Sequence, residues 1–144
     1  MRHKLFTVSD LAKLARNGKA TREAQANGAR EPDHVPVVKI FNPYGGATWL
    51  LTESDPAEPD VLFGLCDLGQ GYAELGTVLR SDLEATRVRV GQFRWPLERD
   101  LHFRPRHPLS VYTTASNGQR IVEHGAAFND AAAVRPSDQE QRDA

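Results

Sequence analysis

The spacing of apolar positions changes along the chain, and each change predicts an element. At the amino end, Thr7 and Asp10 stand at the spacing of a capping box, with Phe6 and Leu11 where a hydrophobic staple would sit. Leu11, Leu14 and Ala15 recur at helical spacing and Gly18 suits a left-handed stop, so the pattern predicts a helix over 8–17. From Lys19 to His34 the periodicity lapses, and Asn27-Gly28 and Pro32 interrupt it; this stretch reads as a linker or arm. Val37, Val38, Ile40 and Phe41 form a β-type run, followed by the turn-prone Asn42-Pro43-Tyr44-Gly45-Gly46 and a partner strand over Ala47 to Thr52. Glu53 to Asp60 is polar and proline-broken, an exposed loop. Val61 to Asp67 and Glu74 to Leu79, joined by Gly69-Gln70-Gly71, complete an antiparallel meander.

At Ser81 the period lengthens again. Ser81 as a cap, Asp82 and Glu84 in the first turn, and Leu83 and Val88 toward the sheet predict a helix over 82–89, closed by Gly91. The bulky residues from Phe93 to Phe103 predict an irregular strand or extended segment. Pro108 opens a short helix through Ala115, against the β-branching of Val111, Thr113 and Thr114. Beyond Gly125 the chain lacks the apolar groups that offset ordering entropy, and disorder is expected. The fold class is α+β: an antiparallel meander of about four strands covered on one face by two helices. It divides into an N-terminal helix and linker over 1–35, a single core over 36–124 and a tail over 125–144.

Composition narrows the class. With 144 residues, 40% of them hydrophobic, one core is well supported and two would each be small. No apolar run approaches the roughly 20 residues of a membrane span, and Met1 to Asp10 lacks the apolar centre of a signal peptide. The single cysteine, Cys66, excludes an internal disulfide and a Cys-based zinc site; the expected setting is a reducing cytoplasm. The formal net charge of −1 conceals blocks of opposite sign. Residues 1–30 carry +5; Glu53, Asp55, Glu58, Asp60, Asp67 and Glu74 give −6 to a stretch without Lys or Arg; residues 80–107 return +3. Such runs are normally solvated surface, but an exposed acidic face also steers a basic partner.

Candidate chemistry is sparse. Gly69-x-Gly71 precedes a strand, so it lacks the helix amino terminus of a phosphate loop. Asp67 and Glu74 flank the Gly-Gln-Gly turn and are the candidate metal ligands, although two carboxylates are few for Mg²⁺ or Ca²⁺. Asp100 and His102, two residues apart in an alternating stretch, are the candidate acid–base pair. Cys66, inside an apolar strand, reads as a small buried hydrophobe. Trp49, Trp95, Phe41, Phe63, Phe93 and Phe103 read as core. Tyr44 and Tyr72 sit at turns beside glycines and suit contact with a protein partner.

Several blocks carry a family resemblance: Pro36-Val37-Val38-Lys39-Ile40-Phe41, Ala47-Thr48-Trp49-Leu50-Leu51-Thr52-Glu53, Asp55-Pro56, Phe63-Gly64-Leu65-Cys66-Asp67-Leu68-Gly69, Glu74-Leu75-Gly76 and Glu98-Arg99-Asp100-Leu101-His102-Phe103. Over 36–112, with a weaker echo in the N-terminal helix, the chain resembles the bacterial domain of unknown function 2958. The resemblance implies a plasmid or other mobile element, and with it roles such as resistance to restriction or CRISPR systems or help in transfer. It supplies no catalytic residues.

Three readings follow. The first is a non-enzymatic protein, without a cofactor, that binds a protein partner such as a nucleic-acid-processing enzyme of the host through Tyr44, Glu53, Asp55, Glu58, Asp60 and Tyr72. The second is a metal-assisted hydrolase using Asp67, Glu74, Asp100 and His102, which requires separated segments to meet in one pocket. The third, ranked lower because basic and acidic segments nearly cancel, is nucleic-acid binding by the basic N-terminal helix and Arg87, Arg89 and Arg94.

Overall fold

The computed structural model describes residues 4–134. The N-terminal helix α1 runs over Val8–Ala26 and opens with the expected capping box: Thr7 Oγ1 accepts from the Asp10 amide at 3.0 Å and Asp10 accepts from the Thr7 amide at 2.9 Å. Phe6 is buried and Leu11 packs beside it in the same cluster, as a staple requires. The helix does not stop at Gly18. A Cβ there would lie 1.7 Å from the Ser54 carbonyl oxygen, so the missing side chain serves close approach of helix to strand, not termination. Good helix formers carry α1 on through what the periodicity marked as linker.

Beneath α1 lies a five-stranded antiparallel sheet in the order β4-β3-β2-β1-β7, formed by β1 (Val38–Phe41), β2 (Ala47–Ser54), β3 (Val61–Leu68), β4 (Ala73–Leu79) and β7 (Glu98–Arg99). The meander is as expected; β7 adds a fifth strand at the β1 edge. The β2–β3 register shifts between Leu51 and Glu53, a bulge. Its extra residue, Thr52, gives its carbonyl to Asn17 Nδ2 of α1 at 2.9 Å, and Gly64 opposite has no room for a side chain, since a Cβ would lie 1.9 Å from the Leu50 carbonyl.

Trp49, Leu50 and Leu51 are all buried although successive side chains of a strand point to opposite faces, so both faces of the sheet are covered. On one face Leu14, Val38, Ile40, Trp49, Leu51 and Leu62 pack with Phe6, Leu83 and Leu97. On the other, Leu50, Leu65 and Ala73 pack with Leu109, Tyr112 and Ala115 of α3 (Leu109–Ser116) and Phe128 of α4 (Ala126–Ala133). The two-helix, one-face expectation therefore gains a second helical layer. α3 lies where Pro108 announced it, and its first turn is held from a distance: the Asp33 carboxylate accepts from the Ser110 amide and hydroxyl. Residues 126–133, expected to be tail, are helical because Phe128 is buried against Tyr112 at a ring separation of 5.1 Å; residues 135–144 lie outside those described.

The helix expected over 82–89 divides. α2 occupies only Arg80–Ala85, and Arg87–Val90 form β5, paired with β6 (Phe93–Pro96) in a separate two-stranded hairpin. Val88 and Val90 alternate with arginines, a period of two, and Gly91 takes φ +61° at the first of two turn positions, where a II′ hairpin turn needs glycine. Ser81 is not the cap of α2; Asp60 caps it across space, accepting from the Ser81 amide at 3.0 Å and hydroxyl at 2.6 Å. Among the described residues no helix is long and apolar enough to cross a membrane.

Candidate functional site

The strand directions decide which candidate residues meet. The β1–β2 and β3–β4 turns lie at one end of the sheet, and the β2–β3 loop lies at the other. Tyr44 and Tyr72, both about half exposed, therefore share one end, while Glu53, Asp55, Glu58 and Asp60 gather at the opposite end, separated by the length of β2, roughly 23 Å at 3.3 Å per residue. The six residues do not form a single surface. Two of the four acids are also engaged internally. Asp55 accepts from the Ala57 and Glu58 amides at 2.8 and 3.3 Å and pairs with Arg22 at 3.0 Å. These bonds, the Ala57 amide foremost, hold its carboxyl below the usual range. Asp60 is the α2 cap.

The candidate metal pair is also divided. Asp67 is registered against Thr48 and Ala73 on the α3 face, whereas Glu74 is registered against Cys66 and points to the opposite face. Asp67 is buried and accepts from the Gly69 amide at 2.8 Å, shaping the turn; Glu74 is exposed. Among the described residues no group of three His, Cys, Asp or Glu side chains is placed to hold a metal ion. Asp100 and His102 are neighbours without being an oriented pair. Asp100 accepts from the backbone amide of His102 at 2.8 Å, not from its ring, and faces Lys39 at 3.5 Å, which bonds Glu123 at 2.7 Å. The pocket required by the hydrolase reading is not assembled. Cys66, expected to be buried, is half-buried against the α1-side core, and that burial pushes its pKa up to about 11, so it stays protonated at neutral pH.

What the tertiary structure does assemble is cationic. An open groove of about 820 Å³ lies between α1 and the segment 99–106, with His34 to Val37 along it. Lys13 and Arg16 enter from one side of α1, three residues apart and so on one helix face. Arg104 and Arg106, flanking Pro105 at a two-residue spacing, enter from the other side. Among the described residues the only carboxylate lining the groove is Asp10, and it is committed: it bonds the Arg99 guanidinium, which also donates to the Leu5 carbonyl at 3.0 Å. Burial alone would raise the Asp10 carboxyl, but the bonds from Arg99 and Thr7 outweigh it and the net shift is downward. Arg104 is held by its own bonds to the Leu101 and Phe103 carbonyls, both 3.0 Å. Among the described residues Lys13, Arg16 and Arg106 have no ion pair. Asn17, whose Nδ2 is bonded to the Thr52 carbonyl, and His34, whose Nε2 meets the Thr21 hydroxyl at 3.0 Å, complete the wall, and the cations of Lys13, Arg16 and Arg106 give it chemistry suited to anionic oxygens.

Sequence reasoning singled out the basic N-terminal helix but neither Arg104 nor Arg106. The signal lay in the +5 and +3 blocks, which only the fold brings together. Residues 5–122, which include this groove, match the family described as "Protein of unknown function (DUF2958)". The chain belongs to the DUF2958 family. The matched region takes in α1, both sides of the groove and the β5–β6 hairpin, and leaves α4 outside; the resemblance read over 36–112 therefore extends through the N-terminal helix. No curated protein and no solved structure matches this DUF2958 chain.

Proposed function

We propose that this DUF2958 protein is a non-enzymatic macromolecule-binding protein whose groove takes the sugar-phosphate backbone of a nucleic acid. One observation carries the reading: Lys13, Arg16, Arg104 and Arg106 converge on one groove whose sole carboxylate among the described residues is bonded to Arg99. A net cationic groove attracts phosphate through released counterions and through direct N–H donation. The mobile-element setting implied by the family resemblance suits such a protein, which would meet the element's nucleic acid, or the restriction or CRISPR machinery acting on it.

Fluorescence anisotropy with a labelled oligonucleotide, titrated between 50 and 200 mM salt, tests the reading. Four phosphate contacts give a log–log salt slope of about −3 to −4, and Arg104→Ala with Arg106→Ala removes about half of it. Binding that ignores salt or these two substitutions sinks the groove.

A protein partner on the acidic loop is the second reading. It is favoured by Glu53 and Glu58, which have no ion pair among the described residues, with Glu58 exposed at the loop tip. Charge reversal at these two positions would change the set of proteins retained from host lysate; an identical set argues against it.

A further inference from the structure

The β5–β6 hairpin has two faces of different chemistry. Its register sets Val88 opposite Trp95 and Val90 opposite Phe93, so these four project from one face, while Arg89 opposes Arg94 on the other, with Arg87 beyond. Proteins seldom leave such an apolar face open, yet Phe93 is 67% exposed and Trp95 41%. This corrects the expectation that both rings belong to the core: the hairpin stands apart from the five-stranded sheet, and of its four apolar side chains only Val88 packs against the buried cluster. Tyr44, 55% exposed on the β1–β2 turn, extends the row. Its ring lies 6.1 Å from Trp95, and Phe93 lies 6.3 Å from Trp95, with tilts of 41° and 43°. None of the three is stacked on another, so their faces stay open.

We propose that this hairpin and Tyr44 bind single-stranded nucleic acid, with bases stacked on Tyr44, Trp95 and Phe93 and with Arg87, Arg89 and Arg94 against the phosphates. The inference rests on the nucleic-acid reading of the groove and adds the state of the strand. A duplex hides its base faces inside the stack; only unpaired bases offer a face to an aromatic ring. The hairpin's charge is complementary to such a ligand, since from Thr86 to Leu97 there are three arginines and no acid. The same charge disfavours a second copy as the occupant, since pairing two hairpins joins two segments of +3 with no acid within either to offset them. The ribbon is only two strands wide, about 5 Å between strand axes; on its reverse the Arg87 guanidinium donates to the Glu84 and Thr86 carbonyls at 2.9 Å and Arg89 Nε to the Gly91 carbonyl at 3.4 Å, so the positive charge is fixed at both ends of the ribbon and draws phosphate toward it by its field.

The test compares a labelled deoxythymidine oligonucleotide of about 16 residues with a duplex of equal length. The wild-type protein binds the single strand at least about 100-fold more tightly, the rings giving roughly tenfold each, and its tryptophan fluorescence is quenched on binding. Phe93→Ala with Trp95→Ala weakens the single strand by about 100-fold, at roughly tenfold per ring, and leaves the duplex unchanged. Tyr44→Ala, outside the hairpin, gives a loss of about tenfold and keeps the inference falsifiable should the double variant misfold by circular dichroism. Equal affinity for both ligands, reduced alike by Arg104→Ala with Arg106→Ala, overturns the hairpin and leaves the groove standing. Absence of binding to either ligand overturns both. A sedimentation coefficient that falls in the double variant while affinity is unchanged assigns the patch to a second copy and overturns the inference.

Discussion

The acidic loop between β2 and β3 and the groove beside α1 are both dense in one sign of charge, and they put that charge to opposite uses. In the loop two of the four carboxylates, those of Asp55 and Asp60, are drawn inward onto backbone amides. Asp55 closes its own turn and Asp60 caps α2 across 21 residues of sequence. In the groove the one acid is drawn inward, onto Arg99, and the cations are left facing solvent. The difference lies in side-chain length. Asp is short and, in a turn, finds a backbone amide two or three residues away, whereas Lys and Arg carry their charge beyond their own backbone. A run of aspartates is therefore often structural mortar, while lysines and arginines remain available unless an acid is placed to meet them.

The comparison can be broken in four ways. The largest effect is expected from Asp10→Asn, which removes the carboxylate from a pair whose side chains are only 10% and 16% exposed and leaves Arg99 unmatched; urea denaturation should show a loss of about 3 kcal/mol. Asp55→Asn, which loses an exposed pair, should move the midpoint less, and equal shifts would erase the distinction between the regions. Next comes Gly18→Ala, which forces α1 off the Ser54 carbonyl beside the loop and should cost about 2 kcal/mol by thermal melting. If stability is unchanged, helix and strand do not pack as closely as described.

A third expectation concerns pH. The Asp10 carboxyl is lowered in the folded state, so its stabilisation is fully present above the unfolded-state value, about pH 4, and is lost as pH falls through the lower folded-state value. Stability followed by circular dichroism should be level between neutrality and about pH 5, then fall on acidification, and Asp10→Asn should flatten that fall. An unaltered acid limb in the variant would show that the pair does not act on stability. The smallest effects belong to Glu53→Lys and Glu58→Lys, each within about 0.5 kcal/mol in urea. Lys13→Glu with Arg16→Glu should be equally mild in urea yet abolish binding of a duplex oligonucleotide, separating a charge that folds the chain from a charge that awaits a ligand.

Much of this fold was legible in local signals. Thr7 and Asp10 announced the start of α1, Pro108 that of α3, and the turn-prone clusters at 42–46 and 69–71 marked the meander, because caps and turns are satisfied within a few residues. Errors arose wherever one residue type serves two purposes. Gly18 resembled a stop and proved a point of close contact; Gly91 resembled a helix stop and proved a hairpin turn. Ser81 resembled a cap, while the acceptor came from Asp60. Phe128 was too isolated in an alanine-rich stretch to predict α4, whose burial depends on Tyr112 elsewhere in the chain. The site was less legible still. Asp67 and Glu74 were correctly placed beside one turn, but register sends them to opposite faces, and Tyr44 and the acidic loop belong to opposite ends of the sheet.

By itself the sequence determined where α1 and α3 begin, the antiparallel order of the first four strands and the alternation of charged blocks, since each depends on neighbours a few residues apart. Only the tertiary structure decided which charges are consumed and which remain free. Ion pairing depends on distance in space, and Arg99 reaches Asp10 across 89 residues of chain, leaving Lys13, Arg16, Arg104 and Arg106 to define the groove.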